Sequence, residues 1–199
     1  MANLAVDFGR AAILTMDLQT AIVGIYTKDQ PDFVGRVAGV LKGARDNGVR
    51  VIHVQVGFRP GLPEVSTRNQ LFGAIKTSLQ WQQLFAGSAG AIHPEVAPAG
   101  DEPVITKHRV SAFWGTDLDM ILRANEIDSL ILLGIATGGV VLSTLLDASD
   151  ADYKLAVVKD CCADQDPELH ACLIEKVFPR RASVMTAQEI VALMHSAGK

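Results

Sequence analysis

The chain is 199 residues long, 49% hydrophobic and 20% charged, which fits one globular domain with a sizeable core and excludes a disordered chain. Its 18 basic and 22 acidic residues leave a net charge of −4, which argues against nucleic acid or an anionic membrane surface as a partner. No apolar run reaches the roughly 18 residues that cross a bilayer, residues 1–10 lack the basic and apolar regions of a signal peptide, and three cysteines, two of them adjacent, make a poor disulfide framework, so a reduced, cytoplasmic setting is expected.

Ala11–Met16 (A-A-I-L-T-M) is a short apolar run and predicts a buried strand. It ends in Asp17-Leu18-Gln19, and a carboxylate there is either a cap or a site residue. Asp32–Asn47 predicts a helix with Phe33, Val37, Val40, Leu41 and Ala44 on one face and Gly48 as its stop. Val49–Val56 predicts the second strand, and His53 inside it reads as a packed sheet histidine rather than a catalytic one. Gly57–Asn69 is a loop punctuated by Pro and Gly. Phe58 and Arg59 either line a pocket there, with Arg59 suited to an anionic substrate group, or form a solvated surface turn. Ser66–Phe85 reads as partly helical, with Trp81 and Phe85 one turn apart as core or subunit contacts.

Val104–Thr106 predicts a third short strand, followed by Lys107, a lysine that burial or a carboxylate partner would tune. Ser111–Thr116 leads into a helix over Asp117–Asn125 with Thr116 as N-cap. Ser129–Leu133 predicts a strand buried on both faces, and Val140–Ala148 a helix facing inward through Val141, Leu145 and Ala148. The turn between them, Gly134–Gly139, brings backbone N–H groups to a helix N-terminus at the carboxyl end of a strand, where ligands sit in open parallel sheets. It carries neither a Walker A lysine nor a G-x-G-x-x-G fingerprint, which disfavours a nucleotide-binding protein. Lys154–Lys159 is a fifth strand with Asp160–Asp164 as its loop, Pro167–Val177 a helix, Ala182–Met185 a sixth strand and Ala187–Ser196 a last helix capped by Thr186. Strands and helices alternate without a linker or repeat. The expected fold is therefore α/β: one domain over residues 1–199, three layers α/β/α, with a mostly parallel six-stranded sheet at the centre.

Asp17, Lys107 and the Gly134–Val140 turn each follow a predicted strand. Four motifs surround them: M-D-L-Q at Met16–Gln19, I-T-K-H-R at Ile105–Arg109, S-A-F-W-G-T-D-L at Ser111–Leu118 and L-G-I-A-T-G-G-V-V-L-S-T-L-L-D-A at Leu133–Ala148. In this order the sequence resembles the isochorismatase-like cysteine hydrolase family, over roughly Ala11 to Met194. The resemblance implies a catalytic set of aspartate, lysine and cysteine, which maps onto Asp17, Lys107 and Val140. Valine cannot attack a carbonyl, so thiolate acyl transfer is not available at that position. The resemblance to isochorismatases, which can lack the cysteine, implies vinyl-ether cleavage instead, with Asp17 as general acid and water completing the reaction.

A carboxylic acid that stays protonated near neutral pH needs burial to raise its pKa, and Lys107 opposes that rise. The resemblance further implies a non-proline cis peptide between Ile135 and Ala136. It implies a pocket shaped by Gln19, Phe58, Arg59, Phe113, Trp114, Ala136 and Gly139. It implies a small-molecule substrate, a homo-oligomer and no cofactor. Residues Phe58, Arg59 and Pro60 stand where the nicotinamidase subgroup carries metal ligands, so no metal is implied. Cys161 and Cys162 read as structural thiols. A binding protein that keeps the pocket without catalysis is the alternative reading.

Overall fold

The computed structural model describes residues 6–197. Residues 1–5, half of the segment read above as lacking a signal peptide, lie outside the described residues, as do 198 and 199. A six-stranded sheet runs in the order β3-β2-β1-β4-β5-β6. Its strands are β1 (Ala11–Met16), β2 (Arg50–Val56), β3 (Val104–Lys107), β4 (Ser129–Ile135), β5 (Lys154–Ala163) and β6 (Ser183–Met185). Every pairing is parallel, so the sheet is wholly rather than mostly parallel.

Parallel strands need crossover helices, and the helices cover both faces. β1 and β4 are buried along their whole lengths because alternate residues serve opposite layers. Ala11 and Ile13 meet Phe33, Val37, Val40 and Leu41 of α2 (Phe33–Asp46) and Ile190 and Met194 of α9 (Ala187–Ala197). Ala12, Leu14 and Met16 meet Leu118 and Leu122 of α6 (Leu118–Ala124) and Val141, Leu145 and Ala148 at the start and within α7 (Leu142–Asp150). Each such aliphatic or aromatic side chain contributes about 1.5–3 kcal/mol on full burial, so the two apolar layers supply most of the driving force for the fold.

Several boundaries differ from expectation for identifiable reasons. β5 continues through Asp160–Ala163, which was read as a loop, so Cys161 and Cys162 are buried strand residues. The chain's polar interruption there is absorbed because the Asp160 carboxylate accepts from Ala187 N and its carbonyl from Arg36 Nε. Asp117, not Thr116, is the N-cap of α6, although Thr116 Oγ1 still accepts from Leu118 N at 3.2 Å. The turn before α7 spans Thr137–Val141 with a kink at Gly139, so α7 starts two residues later than Val140. The expected helix over Pro167–Val177 is α8 (Pro167–Cys172) continued by a wider turn at Leu173–Val177.

A polar chain runs beneath the sheet's carboxyl edge. The fully buried His53 lies between Thr15 Oγ1 (2.9 Å from Nδ1) and Glu102 Oε2 (3.0 Å from Nε2). Ionised Glu102 only accepts, so Nε2 carries the proton and Nδ1 accepts from the Thr15 hydroxyl. Arg45 donates to both Glu102 oxygens at 2.8 Å, and Ala99 N donates at 2.9 Å. Burial acts to raise the Glu102 pKa, but the donors Arg45, Ala99 and His53 outweigh it and pull it down to about 2. Burial holds His53 below its ordinary value despite Glu102 beside it. His53 is therefore a sheet residue, as its position in the strand pattern indicates.

Both shifts have the same linkage sign. The unfolded chain takes up protons on His53 below about pH 6.5 and on Glu102 below about pH 4.3, while the folded chain resists both. The contribution of His53 and Glu102 to stability should be full above about pH 6.5 and fall as the solution is acidified, while the raised pKa of the buried Asp17 acts with the opposite sign. Chemical denaturation at a series of pH values checks this. Glu102→Ala should cost about 1–3 kcal/mol at pH 7.5, because the buried His53 N–H loses its acceptor.

Candidate active site

The register of the sheet brings the three candidate strand ends level. Met16 pairs with Val54 on one side and Gly134 on the other, and Val56 pairs with Lys107. Asp17 therefore leaves β1 beside Ile135, while Lys107 closes β3 two strands away. Gly134 has φ +144°, and a Cβ there would drive into the Met16 carbonyl oxygen, so only glycine lets β1 and β4 approach at this level.

Asp17 adopts φ 54°, in the left-handed region that Asp tolerates better than most residues and that costs of order 1–3 kcal/mol when the surroundings enforce it. Its backbone N–H donates to Val54 O at 2.9 Å, which fixes the turn. Its side chain is thereby aimed along the carboxyl edge to Lys107, whose Nζ lies 2.8 Å from Asp17 Oδ2. Both side chains are buried, Lys107 to within 3% of full burial. Lys107 Nζ also donates to Arg109 O at 3.1 Å. Asp17 Oδ1 is buried and has no hydrogen-bond partner among the described residues. Burial pushes the Asp17 pKa up, against the opposing charge and hydrogen bond of Lys107 and a hydrogen bond from the Val56 backbone.

The turn after β4 forms the adjoining wall. The Ile135–Ala136 peptide is cis, as the family resemblance implies. Ala136 O accepts from Gly139 N at 3.1 Å and Val141 N at 3.2 Å, which closes the turn on itself. Ala136 and Gly139 are half-buried, and Val140 is buried against the Leu14–Met16 layer. Two outer contacts tie the turn to the segment after β5. Gly138 N donates to Asp164 Oδ2 at 2.7 Å, and Thr137 Oγ1 lies 2.8 Å from His170 Nδ1.

The remaining expected site residues are dispersed along the loops. Gln19 is fully buried, and its amide is committed to backbone: Nε2 donates to Val56 O and Gly90 O, and Oε1 accepts from Val56 N. It braces β2 against α5 (Gly87–Gly90) and has no N–H left for a substrate. Phe58 packs edge-on against Phe72 and Phe85. Arg59 has a 66% exposed side chain, 3.9 Å from Glu64. Phe113 stacks at a tilt on Tyr153, and Trp114 is 69% exposed. The structure thus joins Asp17 and Lys107 directly and sets the Ala136–Val140 turn beside them, while Arg59 and Trp114 stand at the surface.

Tyr26, Asp164 and His170 were not singled out by sequence. Tyr26 ends α1 (Thr20–Tyr26), and its phenol is held above the ordinary range by burial and then by the charges of Asp164 and Asp17. The one usable signal was Asp166-Pro167, a capped helix start that sets Asp164 just before α8 and His170 within it. Among the described residues no group of three or more His, Cys, Asp or Glu side chains could hold a metal ion.

Comparison with known proteins gives this arrangement its family. The Isochorismatase domain family matches residues 11–189. The chain is 31% identical over 198 residues to the phenazine biosynthesis protein PhzD of Pseudomonas fluorescens, covering 96% of this chain and 90% of that one. It is 27% identical over 202 residues to a maleamate amidohydrolase of Pseudomonas putida, covering 97% and 92%. In fold it matches a cysteine hydrolase from Pseudomonas syringae pv. phaseolicola with a TM-score of 0.84 at 22% identity, over 96% of this chain and 95% of that one. Relatives of the chain are small-molecule hydrolases, and the chain itself belongs to the isochorismatase family of hydrolases.

Proposed function

We propose that the protein cleaves a vinyl ether in a small-molecule substrate, with Asp17 as general acid. The observation that carries this reading is the Asp17 carboxyl itself: one oxygen is held by Lys107 at 2.8 Å, and the other is buried without a hydrogen-bond partner among the described residues, which suits it to carry a proton. Burial favours the neutral acid, and Lys107 keeps it oriented while limiting the rise in pKa. Asp17 Oδ1 delivers its proton to the terminal carbon of the vinyl ether, leaving an oxocarbenium ion. Water adds to that ion and returns a proton to the Asp17 carboxylate. The hemiketal then collapses to a ketone and a free hydroxyl group, so atoms and charge balance with water as the only co-reactant.

Backbone N–H groups of the Ala136–Val140 turn other than those of Gly138 and Gly139, which Asp164 and Ala136 O already hold, meet negative charge on the substrate, and Phe58, Arg59, Phe113 and Trp114 shape the approach from the loops. Val140 offers no nucleophile, which separates this chain from thiolate amide hydrolysis. The same reading makes the protein a cytoplasmic homo-oligomer, with exposed Leu79, Trp81, Trp114 and Met120 as apolar surface for such contacts.

Turnover of isochorismate and of maleamate, by wild type and by Asp17→Asn, tests the proposal. Isochorismate should be hydrolysed and maleamate left intact, and Asp17→Asn should lower kcat by about 10²–10⁴. Tight binding of isochorismate without turnover would instead favour the non-catalytic binding protein. The pH profile adds a second check. Activity should fall as pH rises through the Asp17 pKa, since only the acid form donates. Lys107→Met removes the charge that lowers this pKa, so the residual activity should persist to higher pH.

The thiols give a third check. Burial, then the charge of Asp160, pushes the Cys161 thiol up, and burial pushes Cys162 up to about 12, whereas Cys172 is exposed. A thiol reagent on the native protein should modify Cys172 alone and leave turnover intact. Single Cys→Ala changes at 161, 162 and 172 should likewise retain activity. Loss of turnover on thiol blocking without unfolding would contradict the assignment of Asp17.

A further inference from the structure

The segment between β5 and α8 does more than connect them. Asp164 follows the last residue of β5, and its Oδ2 accepts from Gly138 N at 2.7 Å. Its other oxygen lies 3.4 Å from Asp166 N. Asp166 in turn caps α8, accepting from Glu168 N at 2.9 Å and Leu169 N at 3.0 Å. One turn into α8, His170 places Nδ1 2.8 Å from Thr137 Oγ1. Leu169 packs so closely on Gly138 that a Cβ there would come within 2.7 Å of its Cδ2. Two consecutive residues of the turn are therefore held from outside, one by its N–H and one by its hydroxyl.

The grouping of Thr137, His170 and Asp164 has the residue types of a hydroxyl–imidazole–carboxylate nucleophile. Burial argues against that use. Thr137 has no exposed surface, so its hydroxyl cannot meet a substrate. The hydroxyl and imidazole are instead partners for each other, which satisfies two polar groups that burial would otherwise penalise.

We propose that Asp164 and His170 are positioning residues that bracket the Thr137–Val140 turn and fix its path, so that those backbone N–H groups not already bonded to Asp164 or Ala136 O are held toward the substrate, without touching the substrate themselves. The claim rests on the turn's role in the proposed function. Its chemistry is that of preorganisation: donors aimed in advance at developing or fixed negative charge need no reorganisation when the substrate reacts. An amide held by an ionised carboxylate is a stronger restraint than a neutral pair. Burial keeps His170 below its ordinary pKa, with Asp164 opposing, so the neutral ring that pairs with a hydroxyl is the favoured form.

The test uses the full 15N-labelled chain and four variants whose folding is checked by circular dichroism. Asp164→Ala and His170→Leu remove the restraints, while Asp164→Asn and His170→Asn keep a polar atom near each original position. Amide exchange at Gly138 should quicken by about fivefold to tenfold in the first pair, as expected for loss of one hydrogen bond. It should return most of the way to wild type in the second pair. On isochorismate, the first pair should lose on the order of 10- to 100-fold in kcat with KM little changed, as expected for misplaced donors.

Should either truncation fail to fold, Asp164→Glu and His170→Gln displace the same polar atoms and carry the same expectation. Unchanged Gly138 exchange in folded variants overturns the proposal, as does a loss confined to KM or one that the conservative variants do not relieve. If wild type leaves isochorismate untouched, the functional reading fails, and Gly138 exchange with its rescue still decides the bracket.

Discussion

A carboxyl group and an ammonium group, buried 2.8 Å apart at the carboxyl edge of a parallel sheet, set the terms for the rest of this molecule. Taking either ion out of water costs several kcal/mol, and their mutual attraction repays this only when the remaining polar atoms also find partners. Here the repayment is incomplete on one side. Lys107 has both Asp17 and the Arg109 carbonyl, whereas Asp17 Oδ1 has no hydrogen-bond partner among the described residues. Desolvation outweighs the ion pair and the Val56 backbone hydrogen bond, and the Asp17 pKa lies above its ordinary value. The pair is poor evidence of stabilisation and good evidence of a site, because an unsatisfied buried oxygen persists where chemistry uses it.

Everything around the pair serves to hold that geometry. The two apolar layers fix β1, β3 and β4 in one register, so residues from separated stretches of chain arrive at one edge. The Thr15–His53–Glu102–Arg45 chain locks β1 to β2 and to the segment leading into β3 from below. Gln19 fastens the end of β2 to α5, and Gly134 permits the close contact of β1 with β4. Most buried polar groups in this fold are thus spent on alignment; among the described residues two buried carboxylate oxygens lack a hydrogen-bond partner, Asp17 Oδ1 beside Lys107 and Glu64 Oε2 in the loop after β2.

Much of this was legible in the sequence. The apolar runs at Ala11–Met16 and Ser129–Leu133 could only be strands covered on both faces, and the face of α2 was readable from Phe33, Val37, Val40, Leu41 and Ala44. Asp17 and Lys107 were ambiguous singly, and only their shared strand-end placement together with the family resemblance marked them as site residues. α1 was missed, since Thr20–Tyr26 is rich in β-branched residues, contains Gly24 and has no side-chain cap. For Asp164 and His170 the Asp166-Pro167 helix start marked only their place in the chain and not their role, because what they hold is more than twenty residues away. Gln19 sat in a site motif, but only the folded chain shows that Val56 and Gly90 consume its amide.

The central claim is that Asp17 is an acid whose proton burial retains. Carboxyl 13C shifts or the C=O infrared band, recorded against pH and assigned by difference from Asp17→Asn, report its protonation without any substrate. A titration midpoint clearly above the usual aspartate value of about 3.9 is the expected result. A midpoint at or below that value would mean that Lys107 overrides desolvation, leaving an ionised carboxylate that cannot serve as the general acid.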